Sequence, residues 1–466
     1  MTLLIFFLVF LTVVIIHELG HFSAARAGKV QVEEFAVGLP PRAFRYWRSK
    51  GSINIHGQRV EIPRNHDLPF DWRTGDNKEV AATVDDVDGK LVLRTIELVK
   101  TGDIAWQEPG KEPAKNTDGV PIVTYGEKPA KAQAPAPRGA IELRGLATDI
   151  ATGTEYTVNW LPLGGFMRPK GENDPDAPGG LAAASPWIRL GVLAAGPAMN
   201  LIAGVLVYSL IFAQTGVPNP GQVILIEVSP NSPAEQAGLK AGDRIVSAND
   251  KSIASTEAIR TIIYANMDQP VTVVYERDGE QYTTTVVPSS ERTAEEGATG
   301  VLLGNPVEKA SLLTAISLGF RVTGMQIVEI LTLPARLIQG TIPADQARFI
   351  GLKGMYDFMS QAVTRDQQTR QDQASQPAGS TAETPTYYTL MLIATLTISL
   401  GIFNLLPFPA LDGGRIIFLL PELIFRRRVP PRIENMVHAV GITLLLVLML
   451  YINVMDFVNP VSITLP

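Results

Sequence analysis

The chain opens on sixteen uncharged residues, MTLLIFFLVFLTVVII, and the first polar cluster then arrives at once as His17-Glu18-Leu19-Gly20-His21. A membrane-crossing helix needs about 20 predominantly apolar residues. Four stretches reach that length: 2–26, 188–213, 387–406 and 436–458. The start lacks the positive flank of a secretory signal peptide, so residues 1–28 are predicted to form a retained first span. The second span covers 188–213, the third covers 387–425 with the Pro- and Gly-rich run that follows it, and the fourth covers 436–458. Residues 310–338 are also rather apolar, but Arg321, Gln326 and Glu329 interrupt them. We expect amphipathic interfacial helices over 307–365 instead of a fifth span.

Between the first two spans the pattern changes to alternation. VQVEEFAV and SINIHG predict a β region over 29–65, resumed over 151–187 by GTEYTVNWLPLGGF. The intervening 66–150 is mixed. KLVLRTIELV reads as a strand and EKPAKAQAPAPR as a flexible linker, so the stretch is taken as a cytoplasmic insertion of unassigned role. The polar, apolar-poor 366–386 is expected to be disordered. Arg26, Lys29, Arg168, Lys170, Arg189, Arg426, Arg427, Arg428 and Arg432 all fall on one side if the N-terminus lies outside. By the positive-inside rule, residues 29–187 are then cytoplasmic and 214–386 extracytoplasmic.

Composition narrows the chemistry. The chain has 466 residues, more than one domain normally needs, and 46% of them are hydrophobic. A net charge of −6 gives no reason to expect nucleic acid. With no cysteine there is neither a disulfide nor a thiolate ligand, which leaves His, Asp and Glu to hold any metal.

An HExxH on a helix puts two imidazoles one turn apart on one face, where they can share a zinc ion, and the intervening glutamate can serve as base. Ionisable groups in a membrane segment are costly and mark function. His17 and His21 are therefore candidate ligands and Glu18 the candidate catalytic base. A third ligand must come from elsewhere. His56 and His66 lie in loop sequence, and His438, at the start of the fourth span, is a weak candidate. Asp412, in NLLPFPALDGG (404–414), is the better one: a carboxylate at the cytoplasmic end of the third span, in irregular backbone that survives at membrane depth only where protein or a wet cavity surrounds it. Asn404 offers an amide for the substrate backbone or the oxyanion. A helical substrate must unwind before cleavage, so pairing with a strand edge is attractive, and LPLGGF, with Leu163, Gly164 and Gly165, is the candidate edge.

The chain resembles the site-2 protease family of intramembrane zinc metalloproteases, and most of all the bacterial regulator-of-sigma-E protease branch. HELGH (17–21), VEEFAVGLPPR (32–42), YTVNWLPLGGFMRP (156–169), AAGPAMN (194–200) and NLLPFPALDGG (404–414) carry the likeness, in the family's order. It implies Zn²⁺ held by His17, His21 and Asp412, Glu18 as base, and Asn404 and Pro407 near the substrate. GQVILIEVSPNSPAEQAGLKAGDRIVSANDKSI (221–253) resembles a PDZ domain, completed by VTVVYER, QYTTTVVPS and GVLLGNP, and placed at 217–306. The expected fold is thus a polytopic α-helical membrane protein: four transmembrane helices, a membrane-associated β-sheet and an extracytoplasmic α+β PDZ domain. The resemblance implies single-span membrane proteins as substrates, such as anti-sigma factors or signal-peptide remnants. The PDZ domain would receive peptide ends or turn away folded ectodomains. Where some relatives carry two PDZ domains, one is found here.

Two other classes compete. A catalytically inactive PDZ membrane adaptor should have lost a ligand or the base, yet all four residues are present. A zinc transporter should spread ligands along several spans, whereas the second and fourth are nearly free of them apart from Asn200 and His438.

Overall fold

The computed structural model describes residues 2–69, 78–99, 122–123, 140–292, 297–341, 350–375 and 387–459. The chain divides into two compact units. One gathers Met1–Ala203, Thr332–Tyr356 and Leu396–Ser462, the other Gly204–Leu331, Asp357–Thr395 and Ile463–Pro466.

The first unit begins with helix α1 (Thr2–Ala27), which runs on past its apolar stretch through HELGH, with no proline to stop it before the Gly28-Lys29 turn. Strand β1 (Val32–Arg48) follows. The chain then makes β2 (Gly51–Ile55), β3 (Gln58–Ile62), β4 (Lys78–Val87), β5 (Lys90–Leu98), β6 (Ile122–Val123), β7 (Ala140–Ala151) and β8 (Glu155–Pro169), and leads into helix α2 (Pro186–Thr215).

Strands β1 and β8 are each long enough to turn back on themselves. Residues 32–37 pair with both 155–158 and 165–169, while 42–48 pair with 155–159. Four segments therefore lie side by side, and 165–169 is an edge. Glu34 and Glu155 are buried in this sheet among arginines. Arg42 bonds both carboxylates, at 2.8 and 2.9 Å, Arg48 pairs with Glu155, and Arg168 reaches Glu34 at 3.1 Å.

The remaining strands close on themselves. The order is β2-β3-β5-β4-β7, and β7 pairs back to β2. Alternate residues point inward, and Ile53, Ile55, Val60, Ile62, Val80, Val84, Leu93 and Ile150 form its core. His56 and Gly57, both at positive φ, make the two-residue turn that joins β2 to β3. The stretch 66–150, expected as a separate insertion, thus shares one barrel with residues 51–62 of the expected β region. KLVLRTIELV forms β5 as predicted from its pattern. The linker expected at 127–138 lies outside the described residues.

The barrel's two ends enter through a narrow neck. Ser49 N–H donates to Thr154 O at 3.0 Å and Thr154 N–H to Ser49 Oγ at 2.8 Å. Gly51 and Gly153 allow the two strands to touch there, since a β-carbon on either would meet the opposite backbone.

The second unit holds β9 (Val217–Pro218), β10 (Val223–Val228), α3 (Pro233–Gln236), β11 (Arg244–Ala248), β12 (Lys251–Ser252), α4 (Thr256–Ala265), β13 (Val271–Arg277), β14 (Glu280–Val286), β15 (Val301–Gly304) and β16 (Val307–Glu308). The sheet order is β14-β13-β11-β10-β15, over a core of Val223, Leu225, Ile245, Ile259, Val273 and Val286. Ser232 and Ser255 cap α3 and α4 through their hydroxyls.

Helices α5 (Leu312–Ile338), α6 (Leu352–Ser375), α7 (Tyr388–Leu405), α8 (Asp412–Phe425) and α9 (Pro431–Val458) complete the chain. Among the described residues five helices are long and apolar enough to cross a membrane: α1, α2, α5, α7 and α9, with α5 the least apolar. The protein is thus a membrane protein of mixed α and β structure. One expectation is corrected: α6 continues to Ser375, into the segment expected to be disordered. Its Gln, Arg and Asp residues are tolerated in a helix, and Asp366 is tied down by accepting from the N–H groups of Tyr388 and Thr389 at 2.8 and 3.1 Å. Residues 376–386 of that segment lie outside the described residues.

Candidate metal centre

His17 and His21 are one turn apart on α1, and both are buried. Their burial depends on how closely α2 approaches. A β-carbon on Gly20 would meet the Ala195 carbonyl, and one on Gly196 would meet the His21 imidazole. Small residues let two membrane helices touch at backbone distance.

Asp412 arrives from the other side as the first residue of α8. The chain between α7 and α8 folds tightly over its own helix start. A β-carbon on Gly413 would meet the carbonyls of Leu405 and Leu406, and one on Gly414 would meet that of Phe408. The DGG sequence is therefore a packing requirement as well as a carrier of the carboxylate. Ala410 sits at φ 81°, in the region that favours glycine, and its N–H donates to His438 Nδ1 at 2.9 Å. His438, the weak candidate ligand, instead holds the loop that presents Asp412. His56 lies in the β2–β3 turn, and the His66 carbonyl accepts from Arg48 at 2.7 Å.

Three atoms converge. His17 Nε2 lies 3.1 Å from His21 Nε2, and each is 3.3 Å from Asp412 Oδ2. His21 Nδ1 donates to the Val192 carbonyl at 2.7 Å, which leaves its Nε2 with a bare lone pair. Asn200 places its side-chain amide 3.3 Å from His17 Nδ1, while Asn200 Oδ1 is buried without a partner. The two ends of an Asn amide are alike in outline. With Oδ1 turned to His17, the orphaned acceptor is satisfied and Nδ1 carries the proton. Both Nε2 lone pairs then face a carboxylate oxygen that is itself buried without a hydrogen bond.

Three acceptors facing one another repel unless a cation lies between them. Tetrahedral donors about 2.0–2.1 Å from zinc stand about 3.3 Å apart, which is the size of this triangle. The donor set of two imidazoles and a carboxylate, with no thiolate, is one that catalytic zinc accepts. Among the described residues it is the group of His, Asp and Glu that could hold a metal ion.

Glu18 lies on the same helix, and its carboxylate accepts from Met167 N–H, on the 165–169 edge, at 2.8 Å. Gly164, at φ 92°, sits near Leu39 and Val14, and Gly165 pairs with Val37. Leu163 belongs to β8, and its side chain lies outside the described residues. Asn404 closes α7 with its amide donating to Leu400 O at 2.9 Å, and Pro407 lies in the turn leading to Asp412. Sequence reasoning passed over Asn200, Gly196 and the Val192 carbonyl as parts of the site. The signal for the first two was the run AAGPAMN at the depth of HELGH.

Such a site in a membrane helix pair defines a metallopeptidase class, and the chain belongs to it: residues 5–54 and 140–448 match the model of peptidase family M50, the site-2 protease family. It is a multi-pass membrane zinc metalloprotease of that type. Similar proteins include the zinc metalloprotease RasP of Bacillus licheniformis, 27% identical, and the regulator of sigma-W protease RasP of Bacillus subtilis, 26% identical. The probable protease eep of Enterococcus faecalis is also 26% identical, and each of the three alignments covers 97% of both chains. Among solved structures, the PDZ domain of an SdrC-like protein from Listeria monocytogenes covers 18% of this chain and 87% of its own, at 19% identity and a TM-score of 0.16. The family match leaves out 55–139, which contains β3, β4, β5 and β6.

Proposed function

We propose that this protein cleaves the transmembrane segments of single-span membrane proteins in regulated intramembrane proteolysis, with His17, His21 and Asp412 as zinc ligands and Glu18 as catalytic base. The observation that carries this reading is the triangle of two Nε2 atoms and Asp412 Oδ2, of zinc's size, with the half-buried Glu18 carboxylate on the same helix as the two histidines.

Zinc held there supplies the Lewis acidity that makes a water nucleophilic near neutral pH. Glu18 takes the proton of the attacking water and returns it to the leaving amine. The 165–169 edge offers backbone groups to an unwound substrate, with Gly164 leaving room beside it and Gly165 letting the edge lie close against Ala36. Asn404 and Pro407 flank the peptide near Asp412.

The bilayer topology follows the charges. Four spans are α1, α2, α7 with its following turn, and α9, with α5 lying at the interface. The N-terminus is outside, and 29–187 is cytoplasmic. The domain at 217–306 acts as an extracytoplasmic PDZ domain that takes the ends of shortened substrates and turns away folded ectodomains. A relative's name cites sigma-W regulation, which favours anti-sigma factors as substrates beside signal-peptide remnants.

The test is cleavage of a tagged single-span protein in membranes by wild type and Glu18→Gln, with zinc measured on both. Cleavage by wild type alone, with zinc in both, is the expected result. A folded wild type without zinc would overturn the reading.

A further inference from the structure

A cavity of about 910 Å³ opens where α1 ends, between the start of β1 and the barrel. Among the described residues six cationic side chains line it: Arg26, Lys29, Lys50, Arg59, Lys90 and Lys170. Two carboxylates share the lining, Glu33 and Glu61, and Glu61 is already paired with Lys50. The wall therefore carries an excess of four positive charges, in a chain whose net charge is −6. A cleft lined by one sign of charge focuses its field and concentrates counter-ions.

Lys170 makes this a built site. It is 9% exposed, its ammonium donates to the Ile150 carbonyl at 3.2 Å, and no carboxylate pairs with it among the described residues. A buried ammonium without a counter-charge is costly. Gln31, also on the wall, has a buried Oε1 without a partner. The cavity thus suits a ligand that carries negative oxygens.

We infer that this cavity binds a phosphate-bearing anion. The chemistry is shared by two sources, the glycerol-phosphate headgroup of an anionic lipid and free phosphate. The inference rests on the reading that α1 crosses the bilayer, because the end of that helix then sets the cavity at the membrane surface. Anionic lipids attract basic clusters placed there.

The test uses the full-length protein in detergent. In one arm, native mass spectrometry follows retention of phosphatidylglycerol against phosphatidylcholine from equimolar mixed micelles. In the other, thermal midpoints are compared in inorganic phosphate and in chloride at matched ionic strength. The variant is Lys29→Gln/Arg59→Gln/Lys90→Gln, at exposed positions, with Lys170→Met beside it as the buried change. An at least five-fold preference for phosphatidylglycerol that the triple variant loses supports the site with a lipid source. A midpoint raised by phosphate in wild type but not in the variant supports it with a free source. No preference in either arm, or one that the folded triple variant keeps, overturns the inference. Cleavage of a single-span substrate by the same preparations in phosphatidylcholine alone reads the protease separately, so the two failures are told apart.

Discussion

Gly196 of α2 lies against the imidazole of His21, at a distance that leaves no room for a β-carbon. The glycine costs α2 helix propensity and in return lets the ring hold its place under the Val192 carbonyl.

Gly196→Ala should therefore strengthen the helix in isolation yet weaken the site. We expect zinc affinity to fall by about 10–100-fold, the range seen when support around a ligand is lost, with helix content by circular dichroism unchanged. Gly191→Ala, in the same helix with open space around it, should leave zinc binding as it is. Equal effects of the two would mean that α2 does not press on His21.

Asn200 acts on the other histidine. Asn200→Leu leaves His17 Nδ1 without its acceptor, and chelator competition should show zinc held about 10–100-fold more weakly. Asn200→Asp keeps an oxygen in place and should retain most of the affinity. Loss of the same size in both would point to packing as the cause.

How much of this was legible in the chain follows from what each residue contributes. His17, Glu18 and His21 announce themselves by helical spacing inside an apolar run, and Asp412 by its company of Pro and Gly. The Val192 carbonyl carries no side-chain signature, and Gly196 matters only because a ring from another helix lies above it. The barrel was hidden for a different reason. Val80, Ala82 and Val84 do alternate, with Ala81 and Thr83 between them, but besides the neighbouring β5 they pair with β7, far along the chain, so no local pattern shows what they close against. In α6 the polar residues were read as a lack of core, whereas Asp366 anchors the helix by bonding the start of α7.

Glu155 makes the sheet sensitive to acid. Burial pushes its carboxyl up, but the guanidinium groups of Arg48, Arg42 and Arg45 outweigh this and hold it below the usual carboxylate range. A folded-state value below the unfolded one gives stability that is present above about pH 4.3 and is lost as pH falls through the depressed value. Glu155→Gln should lower stability at pH 7 by about 1.5–3 kcal/mol, because the buried Arg48 loses one of its two carboxylate partners while Asp67 stays at 2.9 Å. Its thermal midpoint should also vary less than the wild type's across the acid range. A midpoint unchanged at pH 7 would contradict this role.

Excision separates the barrel from the insertion as first drawn. Deleting 66–150 removes β4, β5 and most of β7 but leaves Ile53, Ile55, Val60 and Ile62 without a core, so aggregation on size-exclusion chromatography is expected. Deleting 51–152 and joining the ends by a short Gly-Ser link removes the closed unit whole. That variant should be monodisperse, bind zinc and cleave a model span at a rate within a few-fold of wild type. Loss of zinc from the second deletion alone would show that the barrel supports the catalytic helix.

The bond pair between Ser49 and Thr154 has a consequence for how such a chain can change over time. Both crossings into the barrel run through one clasp, so everything between them is a cassette. Its length and sequence can drift, and a gene segment can enter or leave there, without altering the spacing of any residue before Ser49 or after Thr154. Catalysis and the cassette can in that sense change separately, and the stretch that the family match leaves out, 55–139, lies wholly within the cassette.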